Sequence, residues 1–176
     1  MSAKNCVLFL ALTVMAACNG CSQKADEVAI KKGEAFGKIG RYDEAIAEFD
    51  KALAIRPTAA CYVSRGATYA AKGDLDRAIA DFSGAIMTDP NHSEAYTSRG
   101  LAYAYRGDMN QGIADCNKAV AIRPDYAAAY GTRAIIYFMQ KKYDRSWADV
   151  QLAESLGYKI NPRFLEELRK ASGRNR

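Results

Sequence analysis

AACYVSRGATYAAKGDLDRAIADFSGAIMTDPNH, residues 59–92, runs directly into SEAYTSRGLAYAYRGDMNQGIADCNKAVAIRPDY, residues 93–126. Tyr62, Arg65, Gly66, Tyr69, Ala85 and Pro90 of the first stretch recur as Tyr96, Arg99, Gly100, Tyr103, Ala119 and Pro124 of the second. Extending the register in both directions gives Gly33, Gly66 and Gly100, then Pro57, Pro90 and Pro124, with separations of 33 or 34 residues throughout. A period of this length marks stacked supersecondary units and not one irregular domain. The units run 26–58, 59–92, 93–126 and 127–160.

Within each unit large and small residues alternate at fixed places. One set is large (Tyr62, Tyr96, Tyr130), a second is Gly33, Gly66, Gly100 and Ala134, and a third is aromatic (Phe36, Tyr69, Tyr103, Tyr137). Small residues return at Ala45, Ala78, Gly112 and Ser146, and again at Ala52, Ala85, Ala119 and Ala153, with Phe49 and Phe82 between them. This pattern resembles the tetratricopeptide repeat. The resemblance implies an all-α superhelix of about four helix-turn-helix repeats, in which the small positions are crossings where helices meet closely and the aromatics fill the gaps between them. Asp43, Asp76, Asn110 and Asp144 are expected to cap the second helices, each preceded by an apolar residue (Tyr42, Leu75, Met109, Tyr143). The prolines end those helices. Asn161-Pro162 then starts a capping helix over 161–172, with Phe164, Leu165 and Leu168 on one side, and residues 173–176 form a basic tail. Trp147 is expected to pack against that cap, Cys116 to pack as a small hydrophobe, and Cys61 to be incidental.

A charge pattern accompanies the repeat. Lys32, Arg65, Arg99 and Arg133 each stand sixteen residues before an acid: Glu48, Asp81, Asp115 and Asp149. Either these pairs bridge the two helices of each unit, or they belong to two independent solvated faces.

Composition narrows the function classes. The chain has 176 residues, 25 Lys+Arg against 20 Asp+Glu, and a net charge of +5. Its 32 Ala nearly equal the 33 Leu, Ile, Val and Phe combined, a bias toward closely packed helices rather than one deep core. Few large aliphatics can signal disorder, but only with a large net charge, which this balance denies. A single His, His92, argues against multi-His metal sites and Ser-His-Asp triads, and nothing converges on it. No catalytic residue, metal site, cofactor or small-molecule substrate is expected. The basic residues are spread and matched by acids, so no nucleic-acid partner is expected either.

The first residues are of a different kind. Lys4 precedes an apolar run, Cys6 to Ala17, too short to span a bilayer. Val14-Met15-Ala16-Ala17-Cys18 then resembles the bacterial lipoprotein signal, which implies removal of residues 1–17 and acylation of Cys18, followed by a linker over 18–25. Asn19 after that cysteine implies the periplasmic face of the outer membrane. Ordinary signal-peptide cleavage, giving a soluble periplasmic protein that self-associates or acts like a chaperone, is the alternative. Cys18-Asn19-Gly20-Cys21 has no strand pattern around it and is not read as a redox motif.

The resemblance further implies a concave groove lined by the first helices. Its residues here are Ile30 and Glu34; Val63, Ala67 and Ala70; Thr97, Leu101 and Tyr105; Gly131, Ile135 and Phe138. Family members that hold a carboxylate tail use Lys, Asn and Arg, whereas this chain has Ile30, Glu34, Glu94 and Ser98 at those places, so such recognition is not expected. An apolar peptide segment or amphipathic partner helix suits the lining, and the chain's own N-terminal segment or a second copy are the other occupants weighed.

Overall fold

The computed structural model describes residues 25–174, and among them the regular structure is helical throughout, with nine helices. They are α1 (25–38), α2 (Tyr42–Ile55), α3 (Ala59–Lys72), α4 (Leu75–Thr88), α5 (Ser93–Arg106), α6 (Met109–Ile122), α7 (Ala127–Met139), α8 (Tyr143–Ser155) and α9 (Pro162–Ser172). The first eight form four antiparallel pairs stacked into a solenoid, and α9 closes its end, as the repeat predicts. Each second helix touches the next first helix, and α3 also touches α5, as α5 does α7. The first helices α3, α5 and α7 therefore form a continuous inner wall.

Side-chain volume at each crossing is compensated along the chain. A Cβ on Gly33 would lie 2.8 Å from the Phe49 ring, and one on Gly66 would lie 2.8 Å from the Phe82 ring. In the third unit Cys116 replaces the phenylalanine, and the helices close further: a Cβ on Gly112 would sit 2.5 Å from the Gly100 carbonyl oxygen. In the fourth, Ala134 and the fully buried Val150 share the space, and the Ser146 hydroxyl donates to the Ala134 carbonyl at 2.8 Å. The result is a chain of small cores instead of one large one.

The charge pattern is a bridge in three of four units. Arg65, Arg99 and Arg133 each donate Nε and Nη2 to both oxygens of Asp81, Asp115 and Asp149, at 2.6–2.9 Å. Their remaining Nη1 crosses to the preceding unit, reaching Asp50, Ser83 (3.0 Å) and Asn117 (2.6 Å). Each guanidinium also lies over a tyrosine three residues earlier, Tyr62, Tyr96 or Tyr130, at 5.3–5.8 Å. The hydrogen bonds to these carboxylates, opposed by burial, raise the pKa of all three arginines. Lys32 and Glu48 form no such pair; Glu48 instead accepts from Lys51 one turn along its own helix.

The expected N-caps are corrected. Asp43, Asp76, Asn110 and Asp144 lie one residue inside their helices, whose first residues are Tyr42, Leu75, Met109 and Tyr143. The cap positions are Arg41, Asp74, Asp108 and Lys142, and of these only Asp74 accepts a side-chain cap bond, from the Arg77 amide. The four inner residues reach across to the next unit, pairing with Lys72, Arg106, Gln140 and Arg174. His92 caps α5, its Nδ1 accepting from the Ala95 amide at 3.2 Å. Arg56, Asp89 and Arg123, each before a proline, are extended.

The closing helix is half of a fifth unit. Phe164 stands where the tyrosines Tyr96 and Tyr130 stand, Leu168 where Gly100 and Ala134 stand, and Arg174 repeats the cross-unit bond of Arg106. Among the described residues no second helix packs on α9, and the small position holds a leucine that is fully buried against Trp147 and Val150. Trp147 Nε1 donates to the Ser172 hydroxyl at 3.0 Å. Asn161 caps α9 through the Arg163 amide, with Pro162 as its first residue.

Candidate functional site

The inner wall dips between α3 and α5. The depression has a volume of about 230 Å³ and is walled by Ala67 and Ala70 of α3 and Leu101 and Tyr105 of α5. Because those two alanines are short, Leu75 and Phe82 of α4 reach its floor, with Ser98 and Ala102 at its side. Tyr105 is 61% exposed, an uncommon state for a large ring. Burying such a ring and one leucine-sized guest gains about 1.5–3 kcal/mol for each side chain. The lining carries no charged residue, so the depression selects for shape and apolarity.

The eleven residues assigned to the groove divide in two. Ala67, Ala70, Leu101 and Tyr105 meet in this depression. Glu34 is exposed on α1, Ile30 is half-buried against the Phe49 cluster, and Ile135 is half-buried on α7. Val63 is buried with Phe82, and Thr97 is buried with its hydroxyl donating to the Ser93 carbonyl at 2.9 Å. Gly131 lies beneath Tyr158, whose ring would stand 3.0 Å from a Cβ there. Phe138 packs 5.5 Å from Phe164, edge to face, and 5.9 Å from Tyr143. Leu75 and Phe82 were not legible as lining; the run of alanines at the inner positions of α3 is the signal that the floor lies one layer deeper.

Other candidate groups are structural. Cys61 is fully buried, and its thiol donates to the Phe49 carbonyl at 3.7 Å, so it is a core residue and not incidental. Burial pushes the Cys61 thiol up to about 11 and the Cys116 thiol up to about 12, which keeps both protonated and unreactive. Among the described residues no three His, Cys, Asp or Glu side chains gather as a metal site. Cys18 and the leader lie outside the described residues.

Residues 63–127 match one family profile described as tetratricopeptide repeat and residues 27–58 match another, together more than half of the chain. The chain belongs to the tetratricopeptide-repeat family. Its fold is similar to that of TTC0263, a thermophilic tetratricopeptide-repeat protein of Thermus thermophilus, with a TM-score of 0.75 at 21% identity over 85% of this chain and 84% of that one. MamA superposes with a TM-score of 0.65 at 22% identity, covering 75% of this chain and 78% of MamA. The first repeat domain of Spaghetti (RPAP3), solved with the HSP90 peptide SRMEEVD, gives 0.59 at 29% identity over 65% of this chain and 90% of that domain. No curated protein matches the chain by sequence. Tetratricopeptide-repeat solenoids typically mediate protein–protein interaction.

Proposed function

We propose that this tetratricopeptide-repeat protein is a non-enzymatic adaptor, tethered to a membrane by acylated Cys18 in the cell envelope, that binds an apolar peptide segment or amphipathic helix of a partner protein. The observation that carries the binding role is the uncharged depression between α3 and α5, with Tyr105 exposed at its edge. A side chain of leucine or phenylalanine size fits its volume and meets no buried charge. The Spaghetti (RPAP3) domain holds its HSP90 peptide, which supports segment binding as the mode of action. The tether rests on the sequence Val14-Met15-Ala16-Ala17-Cys18. Seven residues separate Cys18 from Asp26, a reach of about 25 Å, so the solenoid stays near the surface that holds the lipid.

A photocrosslinker placed at Tyr105 in cells is expected to capture a partner that a probe at the 85% exposed Met87 of α4 does not. Leu101→Glu, which puts a carboxylate into the depression, is expected to abolish that capture while leaving the helical melt near that of the parent chain. Equal capture at both probes, or capture insensitive to Leu101→Glu, removes the binding reading. Lipid incorporation that persists in Cys18→Ala removes the tether.

A further inference from the structure

The turn between the two helices of each unit occurs four times, as Gly40-Arg41, Gly73-Asp74, Gly107-Asp108 and Lys141-Lys142. The first residue is left-handed every time, with φ of 76°, 89°, 106° and 58°. Glycine adopts this conformation without strain, and Lys141 is the one non-glycine residue among those described that is held in it. At the next place Asp74 accepts a cap bond, whereas Arg41, Asp108 and Lys142 make none. The fourth turn thus gives up the favourable glycine at Lys141, and it is the one turn with a cation at both positions.

Each of the first three turns carries a local ion pair. Arg41 pairs with Glu44, Arg77 with Asp74, and Arg106 with Asp108. At the fourth, Lys141, Lys142 and Arg145 are exposed around a depression of about 400 Å³ whose one carboxylate, Asp144, is already bonded by Arg174 at 2.7 Å. No carboxylate of the described residues pairs with those three. Ser172 lines the same depression and brings the last turn of α9 to it. Three cations without a carboxylate partner, beside an acid already paired with Arg174, set this corner apart from the other turns of the solenoid.

We infer that this corner is a contact site for the anionic headgroups of a lipid bilayer, a second attachment point that lays the solenoid along the surface. This rests on the tether proposed above, and lengths permit both contacts. The 14 residues of α1 rise about 21 Å from its start to the edge that carries the turns. Fully extended, the linker from Cys18 would reach about 25 Å, which is enough for a surface touching the turn edge. Each Lys or Arg near an anionic surface is worth a factor of about five in binding, and the attraction is screened by salt.

Trp147, the single tryptophan of the chain, lies under Ser172 and reports on this corner. The full chain is reconstituted in vesicles of phosphatidylcholine alone or with phosphatidylglycerol, both carrying spin-labelled headgroups. Trp147 emission should be quenched only when phosphatidylglycerol is present, and high salt should relieve it. The double variant Lys141→Gly with Lys142→Asp, which restores the turn of the second and third units, should weaken the contact roughly a hundredfold through a change of three charges. The same variant should melt no lower than the parent, which separates lost contact from lost folding. Equal quenching on both lipids, or parental quenching in the variant, overturns the inference. Binding of polyglutamate without quenching on phosphatidylglycerol vesicles assigns the corner to an acidic protein and overturns it as well. Mass spectrometry of Cys18 tests the tether separately: an unacylated Cys18 with charge-dependent quenching intact defeats the tether and leaves this contact standing.

Discussion

At the scale of single residues, the same ion-pair chemistry has two very different consequences here. Arg99 is 19% exposed at its side chain, holds both oxygens of Asp115 and reaches Ser83 in the preceding unit. Arg106 makes two ion pairs as well, to Asp76 and Asp108, but those partners are 81% and 41% exposed. Water already solvates the second group, so it gains little from its partners. The first sits between two helices, and removing the arginine strands a buried carboxylate. Arg99→Ala is expected to lower stability by about 2–3 kcal/mol and Arg106→Ala by far less, read from urea unfolding of the two variants. Similar losses from both would show that the bidentate bridge has no special role.

At the scale of elements, α9 repeats the first helix of a unit, with no second helix packed on it among the described residues. Leu168 occupies the crossing place that is glycine in three units, and its burial against Trp147 and Val150 holds the helix down. Leu168→Ala would restore the repeat's usual small residue and leave a cavity, at a cost of about 2–5 kcal/mol. Amides of α9 should then exchange before those of α7; unchanged protection of α9 would show that Phe164 and the Arg174–Asp144 bond hold it without the leucine. Which helices exist, how they pair and where the cap lies were legible in the period, because volume at the crossings repeats with it. Cap assignments were not. Asp76 looks like an N-cap in sequence, and only the partner Arg106, thirty residues away, shows it to be a cross-unit acceptor. The groove was legible as a set of helices but less so residue by residue. A period fixes which helix is inner, whereas the burial of Val63, Thr97 and Gly131 depends on neighbours such as Phe82 and Tyr158.

For the whole molecule, stability is set unit by unit and junction by junction. Between the first and second units Lys72 meets Asp43 and Arg65 meets Asp50; between the second and third Arg106 meets Asp76. The fourth unit and α9 are joined by Arg174 and Asp144. Between the third and fourth units neither cross-bond has a charged acceptor: Gln140 donates to Asn110 at 3.1 Å and Arg133 to Asn117 at 2.6 Å. Gln140 also buries its Oε1 without a hydrogen-bond partner, a cost the other junctions do not carry. The solenoid should therefore part here first, with α7 to α9 opening as one cooperative block. Native-state hydrogen exchange is expected to show the amides of α7, α8 and α9 sharing one opening free energy below that of α3 to α6. Asn110→Asp combined with Gln140→Arg, which copies the junction before it, should raise that value by up to about 1 kcal/mol. One opening free energy across α3 to α8, unchanged in the double variant, would mean that apolar stacking alone governs the junction and that its hydrogen bonds are incidental to cooperativity.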